Sequence, residues 1–213
     1  MSDLIYISFI GEKTVGKSSI VDSYDSKHYN PDLYATKRVE THIMKNSFTG
    51  ELNVYVYDMA GETHEATIIA LCAKCDVIVL VYDKTYKKSF RKIDDFHNII
   101  IQHIYPEKSV VVLLGNKTDD TLGEQVNTDE GYNKHQYLKT DLFIETSAKT
   151  GYNINELFQK IEEEVKKKRE RIIEVFQKEE TDYLIEPQIH NYICPCSCRC
   201  ICPSCRCCEC TLL

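Results

Sequence analysis

Gly11-Glu12-Lys13-Thr14-Val15-Gly16-Lys17-Ser18, directly after the apolar run Leu4 to Ile10, has the form G-x-x-x-x-G-K-S. Glycine at both ends lets the backbone turn tightly, so that several N–H groups and the positive end of the next helix converge on one anionic centre. Lys17 then offers a point charge to the outer phosphates of a nucleotide, and the Ser18 hydroxyl a ligand for magnesium. Lys13, Thr14, Val15, Gly16, Lys17, Ser18 and Ser19 are the cradle residues expected to touch the nucleotide. Ile5, Ile7 and Phe9 alternate with Tyr6 and Ser8, while Ile20, Val21 and Tyr24 follow at helical spacing. The motif therefore sits on the strand–loop–helix corner that this chemistry needs. The competing reading, a glycine turn with a coincidental Gly-Lys-Ser, loses ground to the motifs further along the chain.

The order of elements is that of an alternating α/β domain. Val39 to Phe48 and Leu52 to Tyr57 are β-rich and joined by Thr49-Gly50, which predicts an antiparallel hairpin. Val77 to Tyr82 and Val110 to Leu114 are near-continuous apolar runs, as expected of strands covered on both faces. Phe90, Ile93, Phe96 and Ile99 to Ile101 lie at helical spacing between them. A short strand, Leu142 to Glu145, precedes a helix opening near Asn153 that buries Ile154, Leu157, Phe158, Ile161 and Val165. This alternation selects a mostly parallel, doubly wound sheet with helices on both faces, and with the phosphate cradle at its first corner the expected class is a six-stranded P-loop NTPase three-layer sandwich. Ligands of such sheets bind beyond the carboxyl ends of the strands.

Composition bounds the partners. The 213 residues are 43% hydrophobic, enough for a substantial core, and residues 1 to about 175 read as one unit. Asp3 and the lack of a basic, apolar leader argue against a signal peptide, and runs such as Val77 to Tyr82 are too short to span a bilayer. A cytoplasmic body is expected. The net charge of −7 opposes general nucleic-acid binding. The basic run Lys166-Lys167-Lys168-Arg169-Glu170-Arg171 reads as the solvated face of a long C-terminal helix.

Each remaining candidate follows a predicted strand. Asp58 ends Leu52 to Tyr57 and is followed by Met59-Ala60-Gly61-Glu62, so its carboxylate can hold magnesium while the Gly61 N–H approaches a terminal phosphate. Asn116-Lys117-Thr118-Asp119 follows Val110 to Leu114. The Asp119 carboxylate can accept from N1–H and the exocyclic amine of guanine, whereas adenine would leave it unpaired, so guanine is selected over adenine and an ATPase reading is disfavoured. The Lys117 stem can cover the ring and Asn116 can tie its loop to the cradle. Ser147-Ala148-Lys149 follows the last strand, and its Ala148 N–H can meet the guanine carbonyl.

With GEKTVGKS, DMAGE, NKTD and TSAK in this order, the chain resembles the Ras superfamily of small guanine-nucleotide-binding proteins and, through Leu80 to Thr85, Ser89-Phe90 and Tyr29-Asn30-Pro31, its Rab branch. The resemblance implies a monomeric GTP/GDP switch with magnesium, an exchange factor, an activating protein, effectors and a role in vesicle trafficking. It puts Thr36 in the place of the switch threonine that reaches magnesium and the γ-phosphate, and Tyr29 in that of the aromatic edge-on to guanine. Lys17, Thr36, Gly61 and Glu62 then occupy the catalytic positions. Two departures stand out: Arg38 where relatives carry glycine, and Glu62 where they carry the glutamine that orients the attacking water. A carboxylate beside the γ-phosphate is repelled, so slow hydrolysis is expected, with a GTP-locked membrane adaptor as the alternative. Lys13 and Thr14 replace small cradle residues; a bulky Lys13 can obstruct an activating partner's arginine.

Nine cysteines fall between Cys194 and Cys210, against Cys72 and Cys75 in the body. Gln177 to Asn191 is polar, contains Pro187 and is not expected to fold; residues 176–213 read as a flexible hypervariable tail. The end, Cys210-Thr211-Leu212-Leu213, is a C-a-a-X box whose leucine favours geranylgeranyl transfer, with Cys207 and Cys208 as further lipidation candidates. A prenylated terminus would hold the protein peripherally on the cytoplasmic face of an intracellular membrane. Zinc or copper(I) binding by the thiolates is the competing reading, and a disulfide framework a weaker third. Cys72 and Cys75 are expected to serve as small core hydrophobes.

Overall fold

The computed structural model describes residues 4–25, 36, 39–44, 53–104 and 108–184. Tyr29, Lys37, Arg38, the Thr49-Gly50 turn, Pro187 and the cysteine-rich terminus lie outside the described residues. The chain divides into two compact units, Met1–Ile172 and Ile173–Leu213.

The strands are β1 (Leu4–Ile10), β2 (Glu40–Met44), β3 (Asn53–Asp58), β4 (Val77–Asp83), β5 (Val110–Asn116) and β6 (Leu142–Glu145). The helices are α1 (Lys17–Asp25), α2 (Glu65–Cys72), α3 (Lys87–His103), α4 (Thr128–Leu138) and α5 (Ile154–Leu184). One six-stranded sheet runs β2-β3-β1-β4-β5-β6, parallel except for the β2–β3 pair. The expected fold class is the one observed. Because the chain leaves β1 first toward β3 and later toward β4, the loop after β1 lies where the strand order reverses.

Burial follows the side-chain period. Ile5, Ile7 and Phe9 of β1 join Val54, Val56, Val79, Val81, Val112 and Leu114 beneath Ile20 and Val21 of α1 and Leu157, Phe158 and Ile161 of α5. Ile10, Ile78, Leu80, Tyr82, Val111 and Leu113 point to the other face, against Ile68 and Cys72 of α2 and Phe90, Ile93, Phe96 and Ile100 of α3. Strands β4 and β5 are buried along their whole length. Tyr6 packs on Tyr55 and Tyr57, with ring centroids 5.4 and 6.4 Å apart, so these half-buried tyrosines cover the sheet. Cys72 and Cys75 lie in the core, and burial pushes their thiols up to about 11 and about 12.

Two local readings are corrected. The segment from Gln177 continues α5 as far as Leu184, because Gln177 to Tyr183 holds helix-tolerant residues and the first breaker is Pro187. The basic run is not wholly solvated. Lys168 donates to the Ser109 carbonyl at 2.7 Å and pairs with Asp141 at 3.2 Å, while Arg169 reaches the Leu4 carbonyl and Asp76, each at 3.0 Å. Strand β2 is described over Glu40–Met44, and the rest of the expected β-rich stretch, up to Phe48, lies outside the described residues.

Helices α2 and α4 had no sequence expectation. Helix α4 opens on a reciprocal cap, in which Asn127 Oδ1 accepts from the Glu130 N–H at 2.8 Å and Glu130 Oε2 from the Asn127 N–H at 3.1 Å. Phe158 fills the join between β1, α1 and α5, 3.8 Å from the Tyr24 ring and 6.4 Å from Phe9. Phe158→Ala is expected to lower unfolding stability by about 3–5 kcal/mol in urea titrations at fixed nucleotide concentration. Tyr137→Ala, at a side chain 78% exposed, should stay within about 0.5 kcal/mol of wild type.

Candidate functional site

The cradle owes its shape to two left-handed residues. Thr14 (φ 65°) and Gly16 (φ 95°) alternate with residues of ordinary conformation, a pattern that turns successive N–H groups inward. At Gly16 a Cβ would stand 2.3 Å from Asn116 Nδ2, so the close approach excludes any side chain. Val15 is buried in the core below. Lys17 is almost wholly buried, its ammonium donating to the Gly11 and Glu12 carbonyls at 2.9 and 2.8 Å. Burial pushes it down to about 8, against the attraction of Asp58 and Glu12.

At the head of α1, Ser18 Oγ donates to Asp58 Oδ2 and lies 2.7 Å from Thr36 Oγ1, which is itself 3.4 Å from the same carboxylate oxygen. Asp58 is fully buried, and burial raises its carboxyl above the usual range, opposed by the Ser18 hydroxyl and by the charges of Lys17 and His42. Three hard oxygens from three segments, one on a carboxylate that gains from a nearby cation, fit magnesium, which keeps its remaining positions for water and phosphate oxygens. Gly61 meets the cradle from the other side: a Cβ there would lie 2.1 Å from the Lys13 nitrogen, so the two backbones touch.

Asn116 joins the cradle to the loops after β5 and β6. Its Nδ2 donates to the Val15 carbonyl at 2.9 Å, and its Oδ1 accepts from the Ala148 N–H at 3.2 Å and the Thr146 hydroxyl at 3.3 Å. The Ala148 N–H, expected to serve a guanine carbonyl, thus already has a buried acceptor. Asp119 accepts from Ser147 Oγ at 2.6 Å and lies 3.5 Å from the Lys149 ammonium. Burial works against its charge, but the Ser147 hydroxyl and Lys149 outweigh that and hold the carboxyl below its ordinary range. Gly16, Ser19, Asn116, Lys117, Asp119, Ala148 and Lys149 line one cleft. The predicted site residues within the described set gather at these strand ends, and Glu62 meets them only at the exposed rim, through Lys13. Glu62 is 79% exposed and paired at 3.0 Å with Lys13, itself 66% exposed.

Sequence reading missed the supports of the base loop. Asp83 holds the Lys117 ammonium at 2.6 Å and takes the Thr85 N–H at 2.8 Å. Buried Lys84 pairs with Glu124 at 3.0 Å and Glu145 at 2.9 Å. The available signal was Asp83-Lys84 closing an otherwise apolar strand, since buried charges at such a place need partners.

The model of the Ras family matches residues 6–167. "Ras-related protein SEC4" of Candida albicans strain WO-1 is 28% identical over 157 residues, which are 73% of this chain and 74% of that protein. The protein of the same name from strain SC5314 / ATCC MYA-2876 matches with the same figures.

The position of Lys17 sets a pH dependence. Below about pH 8 its ammonium is charged in the free cradle; above, binding a phosphate must first restore that proton, so affinity should fall about tenfold per pH unit. Titration with fluorescent GDP should find binding roughly tenfold weaker at pH 9 than at pH 7, and Lys17→Arg should flatten the slope. The sign for folding is the opposite. The unfolded chain keeps its lysine proton up to the ordinary value of 10.5, so the ligand-free fold gains stability from Lys17 as pH rises from about 8 toward that value.

Proposed function

Because the chain belongs to the Ras family, we propose that it is a Rab-like GTP/GDP switch that recruits effectors in membrane traffic. The observation that carries this reading is Asn116, bonded at once to the cradle and to the Ser147–Lys149 loop, with Asp119 in the same cleft. Phosphates would be taken by the inward N–H groups and Lys17, and the ring by Asp119 under the Lys117 stem. A bound magnesium would offset phosphate charge beside Ser18, Thr36 and Asp58. Gly61, in backbone contact with the cradle, and Thr36, at the cation set, are the points at which a terminal phosphate would order the two partner-facing loops. Tyr29 would pack against the base. An exchange factor, an activating protein and effectors complete the cycle.

Slow intrinsic hydrolysis follows from the chemistry at position 62. A glutamine amide both donates and accepts, so it can bridge a water and a phosphoryl oxygen; the Glu62 carboxylate only accepts, and adds charge where charge is already dense. The ion pair with Lys13 gives that carboxylate a cation at the cradle's rim, a placement that also favours a second reading, a nearly non-catalytic GTP-bound adaptor. Lipidation of Cys210, with Cys208 or Cys207, would hold a monomeric protein on the cytoplasmic face of an intracellular membrane; among the described residues no helix is long and apolar enough to cross one.

Single-turnover assays on GTP-loaded protein test the switch. Glu62→Gln should hydrolyse about tenfold faster than wild type, a change of about 1.4 kcal/mol in barrier, and equal rates would remove the role given to Glu62. In competition, GTP should displace bound fluorescent GDP and ATP should not; equal displacement by ATP would contradict the assignment of Asp119.

A further inference from the structure

We propose that Glu40, His42 and Asp58 form a site for a zinc-class divalent cation on the β2–β3 pair. The strand register creates it. Glu40 stands opposite Asp58 and His42 opposite Val56, so the two-residue period sends all three side chains to one face of the sheet. One ligand atom from each lies within 4.8 Å of the other two.

An independent observation points to a ligand. Asp58 is fully buried, and while its Oδ2 accepts from Ser18 and Thr36, its Oδ1 is buried without a hydrogen-bond partner among the described residues. The Nε2 of His42 is buried and unpartnered in the same way. A carboxylate oxygen and an imidazole nitrogen, both buried and without a partner among the described residues, are costly to keep in a fold, and they adjoin a second carboxylate on an exposed residue.

The donor set selects the cation. One imidazole nitrogen and two carboxylate oxygens suit zinc, with a fourth position left to water; magnesium and calcium prefer oxygen alone. Zinc bonds of about 2.1 Å place tetrahedral neighbours about 3.4 Å apart, so modest closure, mainly of Glu40, completes the site. A cation there would stitch β2 to β3 and fix the rotation of Asp58. The inference needs nothing from the nucleotide reading, although the two sites share that carboxylate.

The test uses the full chain with its tail thiols alkylated; the buried Cys72 and Cys75, with thiols pushed up to about 11 and about 12, stay unreacted. After treatment with EDTA and transfer to millimolar magnesium, zinc is titrated against a chromophoric indicator. Wild type should take up about one equivalent, lost in His42→Ala and bound about tenfold or more weakly in Glu40→Gln. No uptake by wild type, or equal uptake by the variants, overturns the proposal. Should His42→Ala fail to fold, the exposed Glu40→Gln decides alone. Fluorescent GDP binding, read in parallel, separates the two readings: zinc uptake without nucleotide binding would uphold this site and sink the switch.

Discussion

The side chain of Asn116 is the constraint on which the rest depends. Three loops from three separate strands end in positions that only a small amide can join: it donates to the cradle carbonyl at Val15, accepts from Ala148, and takes the Thr146 hydroxyl as well. Without those bonds each loop would still emerge from the sheet, but nothing would set the distance between the residues that meet phosphate and those that meet a ring. The amide is buried, so each bond is made in surroundings where losing it leaves a polar atom stranded. Aspartate could accept but not donate, and leucine could do neither.

The sheet explains why chemistry gathers at one edge. Strands β4 and β5 are covered on both faces and apolar up to their last residues, so the polar groups that face the site stand where a strand runs out: Asp58 after β3's valines, Asp83 and Lys84 at the end of β4, Asn116 at the end of β5. Each then needs a partner from a neighbouring strand end. The outcome is a row of compensated charges, Asp83 with Lys117 and Lys84 with Glu124 and Glu145, under the base loop. Such pairs add little net stability, since desolvation opposes attraction, but breaking one leaves an uncompensated buried charge. Their value is in fixing where the loop rests.

Much of this was legible in the sequence, for stated reasons. The strands β1, β4 and β5 announce themselves by alternation or by unbroken apolar runs, and the cradle by glycines whose spacing has few other uses. Helix α4 was not legible because its buried face is narrow, with only Gly131 fully enclosed, although the Asn127-to-Glu130 cap was visible to a reader seeking it. The helix running on through Leu184 was hidden by polarity: a segment without a core-facing stripe reads as linker even when nothing in it stops a helix. Pairings across loops were the least legible. Lys13 and Glu62 each look like an isolated departure, and only three dimensions reveal that one answers the other. The same holds for His42, silent in a linear reading until the strand register sets it near Asp58.

The contact between Gly61 and Lys13 has a mechanical corollary. Two backbones can lie this close only because an atom is missing, so the loop's resting place is defined by a vacancy in the covalent structure rather than by a bond. Any methyl at that position would act as a wedge, prying the segment off its seat whatever occupied the cleft beneath. Seating of the loop therefore rests on steric fit at a single carbon, a constraint indifferent to salt and acidity, beside an exposed ion pair from Glu62 to Lys13 that both would weaken.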